Sequence, residues 1–263
     1  MDYILELSED RKAVISINNQ LITHITIPEG VTTIRDDAFN SCWQLKSIDI
    51  PNSVTTIGKN AFKNCRQLKS IDVPNSLTTI GEYAFYQCSS LNSIEIPNSV
   101  TRIGNYAFSG CRALISIDIP NSVTTIGEYA FSGCRALKSI KIPNSVTTIE
   151  NSAFRGCEAL QSIDIPNSVT TIGEYAFYGC SSLQSINVSE DNPNYTSVNG
   201  VLFNKELTTI IKFPGWKRIE IYNIPNSVTK IGEDAFWDCK ALQSIEIPNS
   251  VTTIGERAFK YCI

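Results

Sequence analysis

Residues 68–88 read LKSIDVPNSLTTIGEYAFYQC, and close copies of this stretch recur along most of the chain. Ile71-Asp72-Val73 alternates between inward and outward side chains, as a short strand does. Pro74-Asn75-Ser76 predicts a turn, because proline ends ladder pairing and Asn and Ser favour turns. Gly81 permits a sharp bend, after which one helical turn or a tight loop faces inward. The apolar positions of the unit are Leu68, Ile71, Val73, Leu77, Ile80, Ala84, Phe85 and Cys88.

Prolines and cysteines show that this unit repeats every 23 residues. Pro51 follows Pro28 by 23 positions, and Cys42 lies 14 positions after Pro28. A unit this small cannot bury its apolar side chains alone, so it must stack on its neighbours and place identical residues in columns. The two columns are Pro28, Pro51, Pro74, Pro97, Pro120, Pro143, Pro166, Pro225 and Pro248, and Cys42, Cys65, Cys88, Cys111, Cys134, Cys157, Cys180, Cys239 and Cys262.

The pattern L-x-x-I-x-I-P-x-x-V-x-x-I-G-x-x-A-F-x-x-C closely resembles the BspA-like, or Treponema-type, leucine-rich repeats over roughly residues 21–263. The resemblance implies a solenoid used in adhesion and protein recognition, mostly at microbial surfaces. The predicted fold class is α/β: a leucine-rich-repeat solenoid of mostly short parallel strands, with one-turn helices or loops on its convex side. One continuous core is expected to run along it.

The chain is predicted to form a single solenoid, 1–263, in four parts. Residues 1–20 form an N-terminal cap, in which a strand from Ile4 to Leu7 pairs with Ala13 to Ile17. Regular repeats fill 21–186, an irregular insert with a β-hairpin fills 187–224, and repeats resume over 225–263. The last coil stops in mid-turn at Cys262-Ile263. We expect it either to continue in a longer protein or to associate end to end with another molecule.

Composition excludes several classes of protein. A net charge of −4 argues against nucleic acid as the main partner, because phosphate binding needs a basic face. No apolar run is long enough to cross a membrane, and residues 1–7 lack the pattern of a signal peptide. The sequence therefore predicts no membrane insertion and a cytoplasmic location. The family resemblance implies the alternative, a cell-surface or secreted location.

Residues that often carry chemistry occur here as repeat positions. A column of parallel thiols does not converge tetrahedrally as a zinc site requires, so the cysteines are predicted to be buried free thiols. The only histidine, His24, has no nucleophile or carboxylate marked beside it by the sequence. The glycines recur once per coil as bends and form no phosphate-binding loop. The sequence predicts no enzyme, no cofactor and no metal site.

One outward strand position, just before the last inward residue of the strand, is the leading candidate for a contact face. Four acidic residues in adjacent coils repel one another at strand spacing, so selection for stability does not explain them. They favour a protein partner with basic residues. The alternative is a solvated surface, with Lys46 and Lys69 partly neutralising it. This strand-face row consists of Asp49, Asp72, Glu95, Asp118, Lys141, Asp164 and Glu246.

The insert provides the alternative site, because it concentrates aromatic residues. Tyr195, Phe213 and Trp216 are candidates for a projecting surface that binds carbohydrate or a host protein. Alternatively, they fill the core where the Ala-Phe pair and the cysteine are missing. The primary prediction is a non-enzymatic protein-interaction scaffold that binds through its concave strand face. The alternatives are a surface adhesin that uses the insert and a passive structural spacer.

A column of tyrosines recurs two residues after the bend. These residues are expected to stack on one another across coils, with contributions of about 0.5–1 kcal/mol each. They are Tyr83, Tyr106, Tyr129 and Tyr175.

Overall fold

The computed structural model describes residues 5–262, so the predicted strand start at Ile4 lies outside the described residues. The chain winds as a leucine-rich-repeat β-solenoid of about 11 turns. Each regular coil has three sides, as residues 70–88 illustrate. A strand begins at Ser70, a second strand follows at Thr79, and residues 81–88 form a run of turns. We call these the strand face, the Thr-Ile side and the turn side.

The strands are short, and most contain two to four residues. Their bounds are β1 Leu5–Leu7, β2 Ala13–Ile17, β3 His24–Thr26, β4 Thr33–Ile34, β5 Ser47–Asp49, β6 Thr56–Ile57, β7 Ser70–Ile71, β8 Thr79–Ile80, β9 Ser93–Ile94, β10 Arg102–Ile103, β11 Thr125–Ile126, β12 Thr148–Ile149, β13 Ser162–Ile165, β14 Thr171–Ile172, β15 Ser185–Val188, β16 Tyr195–Val198, β17 Val201–Asn204, β18 Thr209–Lys212, β19 Ile221–Asn223, β20 Lys230–Ile231, β21 Ser244–Glu246 and β22 Thr253–Ile254.

The Thr-Ile side forms the longest sheet, with nine strands in the order β1-β2-β4-β6-β8-β10-β11-β12-β14. β1 and β2 pair antiparallel, and β2 then pairs in parallel with β4. Thr56 lies opposite Thr79, and Ile57 lies opposite Ile80, so each coil repeats the contacts of the last. The strand face is less regular. It consists of the two-stranded ladders β3-β5, β7-β9, β13-β15 and β19-β21.

The turn side contains no helix within residues 5–262, so the predicted one-turn helix is wrong and the tight loop is correct. Tyr83 and Gln87 both adopt left-handed backbone angles, with φ of 56° and 59°. Such residues end a helix, because the left-handed conformation does not continue a right-handed one. Their N–H groups instead donate to the next coil, to the carbonyls of Asn105 at 2.9 Å and Ser109 at 2.8 Å. The turn side therefore consists of linked turns hydrogen-bonded along the solenoid axis.

The core contains a column of phenylalanines and a column of thiols. Phe39, Phe62 and their equivalents stack through Phe177, with ring centroids 5.3–6.0 Å apart. The buried thiol of Cys88 donates to the carbonyl of Phe62 at 3.1 Å, and Cys65 makes the same bond to Phe39 at 3.2 Å. Each thiol therefore has a hydrogen-bond acceptor as well as apolar neighbours. All nine cysteines are free thiols.

The core is divided into two clusters, which corrects the expectation of one continuous core. The division falls at β17, where Val201, Leu202 and Phe203 are all fully buried. Leu202 packs into the N-terminal cluster, whereas Val201 and Phe203 pack into the C-terminal cluster. Because successive side chains of a strand point to opposite faces, β17 is covered on both sides and separates the two cores.

The insert forms a three-stranded antiparallel unit, β16-β17-β18. β17 and β18 pair across Asn204-Lys205-Glu206, and β16 is an additional strand that the sequence analysis did not predict. Gly200 adopts a φ of 75°, and a Cβ there would lie 2.8 Å from Cβ of Ser185. The meander therefore approaches β15 too closely for another residue at this position. β18 then pairs in parallel with β20, which restores the Thr-Ile side.

Candidate functional site

The strand-face row lies in register along the solenoid. Asp49 is paired with Thr26, Asp164 with Asn187, and Glu246 with Asn223. In the middle coils the pairing is reduced to isolated bridges, which join Glu95 to Asp118 and Asp118 to Lys141. All seven residues of the row are exposed: Asp49, Asp72, Glu95, Asp118, Lys141, Asp164 and Glu246.

Two grooves lie over this row. The first has a volume of about 460 Å³ and is lined by Asp72, Glu95 and Asp118 together with the serines of their strands. The second has a volume of about 650 Å³ and is lined by Asp118, Lys141 and Asp164. The strand face is therefore indented where the carboxylates stand.

The carboxylates of this row differ in whether they have a hydrogen-bond or ion-pair partner. Asp49 accepts a hydrogen bond of 3.0 Å from the Thr26 hydroxyl, and Asp164 accepts one of 2.9 Å from the Asn187 amide. Within residues 5–262, Asp72, Glu95 and Asp118 form no ion pair within 4.0 Å. The lysines that precede Asp49 and Asp72, at positions 46 and 69, do not neutralise them at that distance.

The structure places a serine and a carboxylate beside His24, which the sequence analysis missed. Nδ1 of His24 lies 2.9 Å from the Ser47 hydroxyl, and Nε2 lies 3.3 Å from Oδ2 of Asp49. The repeat itself was the available signal, because residues 23 apart become neighbours across coils. The His24 and Asp49 side chains are 50% and 64% exposed, so water screens their interaction. A catalytic triad relies on a water-excluded, preorganised site, so we interpret this trio as an exposed hydrogen-bonded chain.

The aromatic residues of the insert do not form one surface patch. Phe213 is fully buried and stacks on Phe236 with ring centroids 5.0 Å apart, so it is unavailable to a partner. Tyr195 is half-buried, and its hydroxyl accepts a hydrogen bond of 2.9 Å from the Ile172 N–H. Trp216 is 45% exposed. The proposed trio is corrected accordingly: Phe213 belongs to the core because it takes the place of the repeat phenylalanine.

One corner of the solenoid is shortened, next to the insert. In regular coils four residues separate the isoleucine of the Thr-Ile side from the core phenylalanine, as Gly232–Ala235 separate Ile231 from Phe236. Only Ile211 and Lys212 separate Ile210 from Phe213, although Ile210 pairs with Ile231 and Phe213 stacks on Phe236. The missing length leaves a cavity of about 360 Å³, which we call the corner gap. Its lining residues are 172–178, 195, 209, 211–212, 230 and 232–234.

Two charged groups are buried beside the corner gap. Nζ of Lys212 donates to the backbone carbonyl of Asp234 at 2.9 Å, and burial lowers the pKa of this lysine. The Asp234 residue is only 4% exposed, and neither carboxylate oxygen has a hydrogen-bond partner. Nε of Arg257 lies 3.4 Å from Oδ1 of Asp234, which is an ion-pair distance without hydrogen-bond geometry. Burial raises the pKa of Asp234 despite this neighbour. The two-residue shortening is the one feature of the repeat pattern that marks this site.

The stacked tyrosine column ends two coils before the corner gap, whereas its fourth predicted member, Tyr175, lines the gap. Tyr83, Tyr106 and Tyr129 stack with centroids 4.5 and 4.7 Å apart, as predicted. Ser152 interrupts the column, so Tyr175 does not join it. Tyr175 instead lies under the Arg257 guanidinium, which is 5.9 Å from the ring centroid.

Metal-ligand clusters and membrane-spanning helices also bear on function. Within residues 5–262, no three His, Cys, Asp or Glu side chains come together in a way that holds a metal ion. The same part of the chain contains no helix long and apolar enough to span a membrane.

The stacked coils and the exposed strand face define a leucine-rich-repeat solenoid. The chain belongs to the family described as the BspA type leucine rich repeat region, which it matches over residues 16–134, 101–220 and 212–263. Members of this family are typically protein-interaction or surface proteins. No curated protein sequence matches the chain significantly.

Solved structures of bacterial leucine-rich repeat proteins are similar to this chain. A leucine rich cell surface protein from Faecalibacterium prausnitzii is 33% identical with a TM-score of 0.83, over 98% of this chain and 72% of that one. A leucine-rich repeat protein from Bacteroides ovatus is 28% identical with a TM-score of 0.56, over 92% and 77%. One from Eubacterium ventriosum is 26% identical with a TM-score of 0.56, over 98% and 63%.

Proposed function

We propose that this protein is a non-enzymatic interaction scaffold that binds a basic protein segment along its concave strand face. The observation that carries the proposal is the run of Asp72, Glu95 and Asp118, which are exposed, in adjacent coils, and without an ion pair among the described residues. Parallel strands place such residues about 4.8 Å apart. Like charges at that spacing destabilise a sheet, so their retention in a row fits a role in binding.

The grooves over the row support an extended partner. A peptide lying along the solenoid axis would pass over Asp72, Glu95 and Asp118 in turn and enter the second groove beside Lys141 and Asp164. Complementary charge of this kind contributes mainly to specificity and association rate, and it weakens as salt rises. The Lys141 position breaks the acidic run, so we expect the partner to carry an acidic or neutral residue there.

The test uses a fluorescent synthetic peptide of alternating Lys and Ser as the probe. Its binding is measured by fluorescence anisotropy at several salt concentrations. In the variant with Asp72→Asn, Glu95→Gln and Asp118→Asn, we expect weaker binding and a shallower salt dependence. The matched control removes the same charge elsewhere, with Glu190→Gln, Asp191→Asn and Glu220→Gln, all at exposed positions.

Three outcomes bear on the proposal. If only the strand-face variant loses affinity, the proposal is supported. Equal effects in the two variants would show that the probe responds to net charge alone, which contradicts a site on the strand face. If the wild-type protein shows no saturable binding, the passive spacer becomes the better account.

A second candidate is a surface adhesin that uses the insert. It is favoured by Trp216, which is exposed, and by the similar protein from Faecalibacterium prausnitzii, which is described as a cell surface protein. A cell-surface location for this chain belongs to the same proposal. Trp216→Ala is the discriminating variant, because it removes the exposed ring without touching the strand face. Loss of adhesion to host protein or carbohydrate in that variant alone would move the site to the insert.

A further inference from the structure

We propose that a pocket beside Trp43 binds a sugar acid, that is, a pyranose that carries a carboxylate. This Trp43 pocket has a volume of about 440 Å³, within the range of small-molecule sites, about 300–1,000 Å³. It lies at the edge where the turn side leads into the strand face, and it contains no residue of the strand-face row. The site is therefore independent of the proposed function. Its lining residues are Ser41, Trp43, Asn64, Arg66 and Gln67.

Trp43 supplies the first argument for a ligand. Its side chain is 44% exposed and has no hydrogen-bond, ring or charged partner among residues 5–262. The repeat offers an internal comparison, because the residue after the repeat cysteine is polar or charged in the next seven coils. The coil therefore folds without an aromatic residue here, and stability of the repeat does not account for Trp43. The seven residues are Arg66, Ser89, Arg112, Arg135, Glu158, Ser181 and Lys240.

A single exposed hydrophobic residue is ordinary, so the argument also depends on what surrounds the indole. Arg66 follows Trp43 by 23 positions and is the one charged residue among those that line the pocket. It is exposed, and within residues 5–262 it forms no ion pair within 4.0 Å. A guanidinium group binds a carboxylate through two parallel N–H bonds. A free cation without a neighbouring anion in the pocket favours an anionic ligand.

The other polar groups of the pocket suit hydroxyl groups. The amides of Asn64 and Gln67 and the hydroxyl of Ser41 each donate and accept hydrogen bonds, as sugar hydroxyls do. Ser41 and Asn64 stand on backbone with left-handed φ angles of 63° and 62°. Their N–H groups donate to the next coil, to the carbonyls of Lys63 at 2.7 Å and Tyr86 at 2.8 Å. Since this backbone is already fixed, binding does not have to order it.

These features together select the class of ligand. The flat indole face suits the apolar C–H face of a pyranose ring, while the polar groups fix the orientation of the ring. A neutral sugar would leave Arg66 without a partner, and a bare carboxylate would leave the Trp43 face uncovered. A sugar acid satisfies both residues at once.

NMR of the indole N–H groups reports on occupancy, because each of the three tryptophans gives one signal. The probes are glucuronate and galacturonate, with glucose and galactose as the matched neutral sugars and acetate as the bare carboxylate. We expect at least one uronate to shift the Trp43 signal saturably and to leave the Trp216 and Trp237 signals in place. Tighter binding of a galacturonate trimer than of galacturonate would indicate an acidic polysaccharide as the source, and equal affinity would indicate the free sugar acid.

Repeat-conforming substitutions locate the site with little risk to the fold. Trp43→Arg introduces the residue of the next coil, and it should abolish uronate binding as followed by saturation-transfer NMR of the ligand. Arg66→Ser introduces the residue found at Ser89, and it should weaken uronate binding about threefold to tenfold, as expected for an exposed charged hydrogen bond. Arg112→Ser removes the same charge from the same repeat position two coils away and should leave the affinity unchanged.

Several results would overturn the proposal. One is a Trp43 signal that neither uronate shifts, and another is binding of a neutral sugar or of acetate as tight as that of the better uronate. Equal weakening by Arg66→Ser and Arg112→Ser would show a response to net charge alone. If Trp43→Arg fails to fold, the comparison of these two arginine variants decides.

Discussion

The hydroxyl of Tyr175 donates a hydrogen bond of 2.6 Å to Oε1 of Glu233, although the two residues lie 58 positions apart. Contacts between adjacent coils usually join residues 23 positions apart, as for Asp164 and Asn187. The Tyr175–Glu233 bond instead spans the coil whose corner is two residues short. Arg257 reinforces the bond, with Nη2 lying 2.8 Å from Oε1 of Glu233 and 3.1 Å from the Tyr175 hydroxyl. This bridge connects regular coils on either side of the insert.

The first prediction concerns the titration of Tyr175. The hydrogen bond to the Glu233 carboxylate raises the pKa of Tyr175 above 10.0, because losing the phenolic proton would place two negative charges together. Glu233→Gln should therefore lower the pKa of Tyr175 toward its ordinary value, as followed by NMR of the ring carbon that bears the hydroxyl. Glu256→Gln is the control and should cause a smaller change. An unchanged titration in Glu233→Gln would mean that the bridge does not form in solution.

The second prediction concerns the phenylalanine column. Phe131 is fully buried between Phe108 and Phe154, at centroid distances of 5.5 and 5.6 Å. Phe131→Ala should lower the free energy of unfolding by about 3–5 kcal/mol, since it removes a large buried aromatic and leaves a cavity. Urea denaturation measures the loss. Ser132→Ala, on the neighbouring turn, should change stability by less than about 0.5 kcal/mol. A loss under about 1 kcal/mol for Phe131→Ala would contradict its place in the core.

The third prediction concerns stability at alkaline pH. Burial raises the pKa of the Cys134 thiol from 9.0 to about 12. Its contribution to stability is present below pH 9 and is lost as pH rises toward 12, because the unfolded chain gives up the proton first. Each such thiol should cost about 1.4 kcal/mol per pH unit in that window. Cys134→Ala should reduce the slope of unfolding free energy against pH, as measured by urea denaturation between pH 9 and pH 11.

The fourth prediction concerns thiol reactivity. The native protein should react slowly with a thiol reagent, because eight of the nine cysteines are buried and Cys262 is half-buried. After denaturation without reductant, all nine should react. Fewer than nine reactive thiols would reveal disulfide bonds along the column.

The fifth prediction concerns the strand-face row. Glu95 and Asp118 lie directly opposite each other, so the triple neutral variant of Asp72, Glu95 and Asp118 should gain on the order of 0.5 kcal/mol or less at low salt. Thermal unfolding at low and high salt measures the gain, which should shrink as salt rises. A clear loss of stability would show that these carboxylates hold the sheet together.

The 23-residue period by itself determined the class of fold, the columns and the inward positions. Those features depend on local residue type and on the fact that identical units must stack to bury their apolar faces. The Phe131 and Cys134 positions are correct for that reason. The strand-face row could also be assigned from the sequence, because a fixed period places Glu95 beside Asp118 in any such solenoid.

Only the tertiary structure decided what happens where the period fails. The period does not show how a shortened corner packs, so the separation of two cores at β17 and the orphan carboxylate of Asp234 were not predictable from it. Core filling by the insert aromatics was one of two alternatives, and only the structure decided that Phe213 is fully buried. The absence of helix on the turn side of residues 5–262 was also hidden, because Tyr83 and Gln87 adopt left-handed angles to reach the next coil. Such contacts depend on how coils meet in space, and sequence spacing along one coil does not report them.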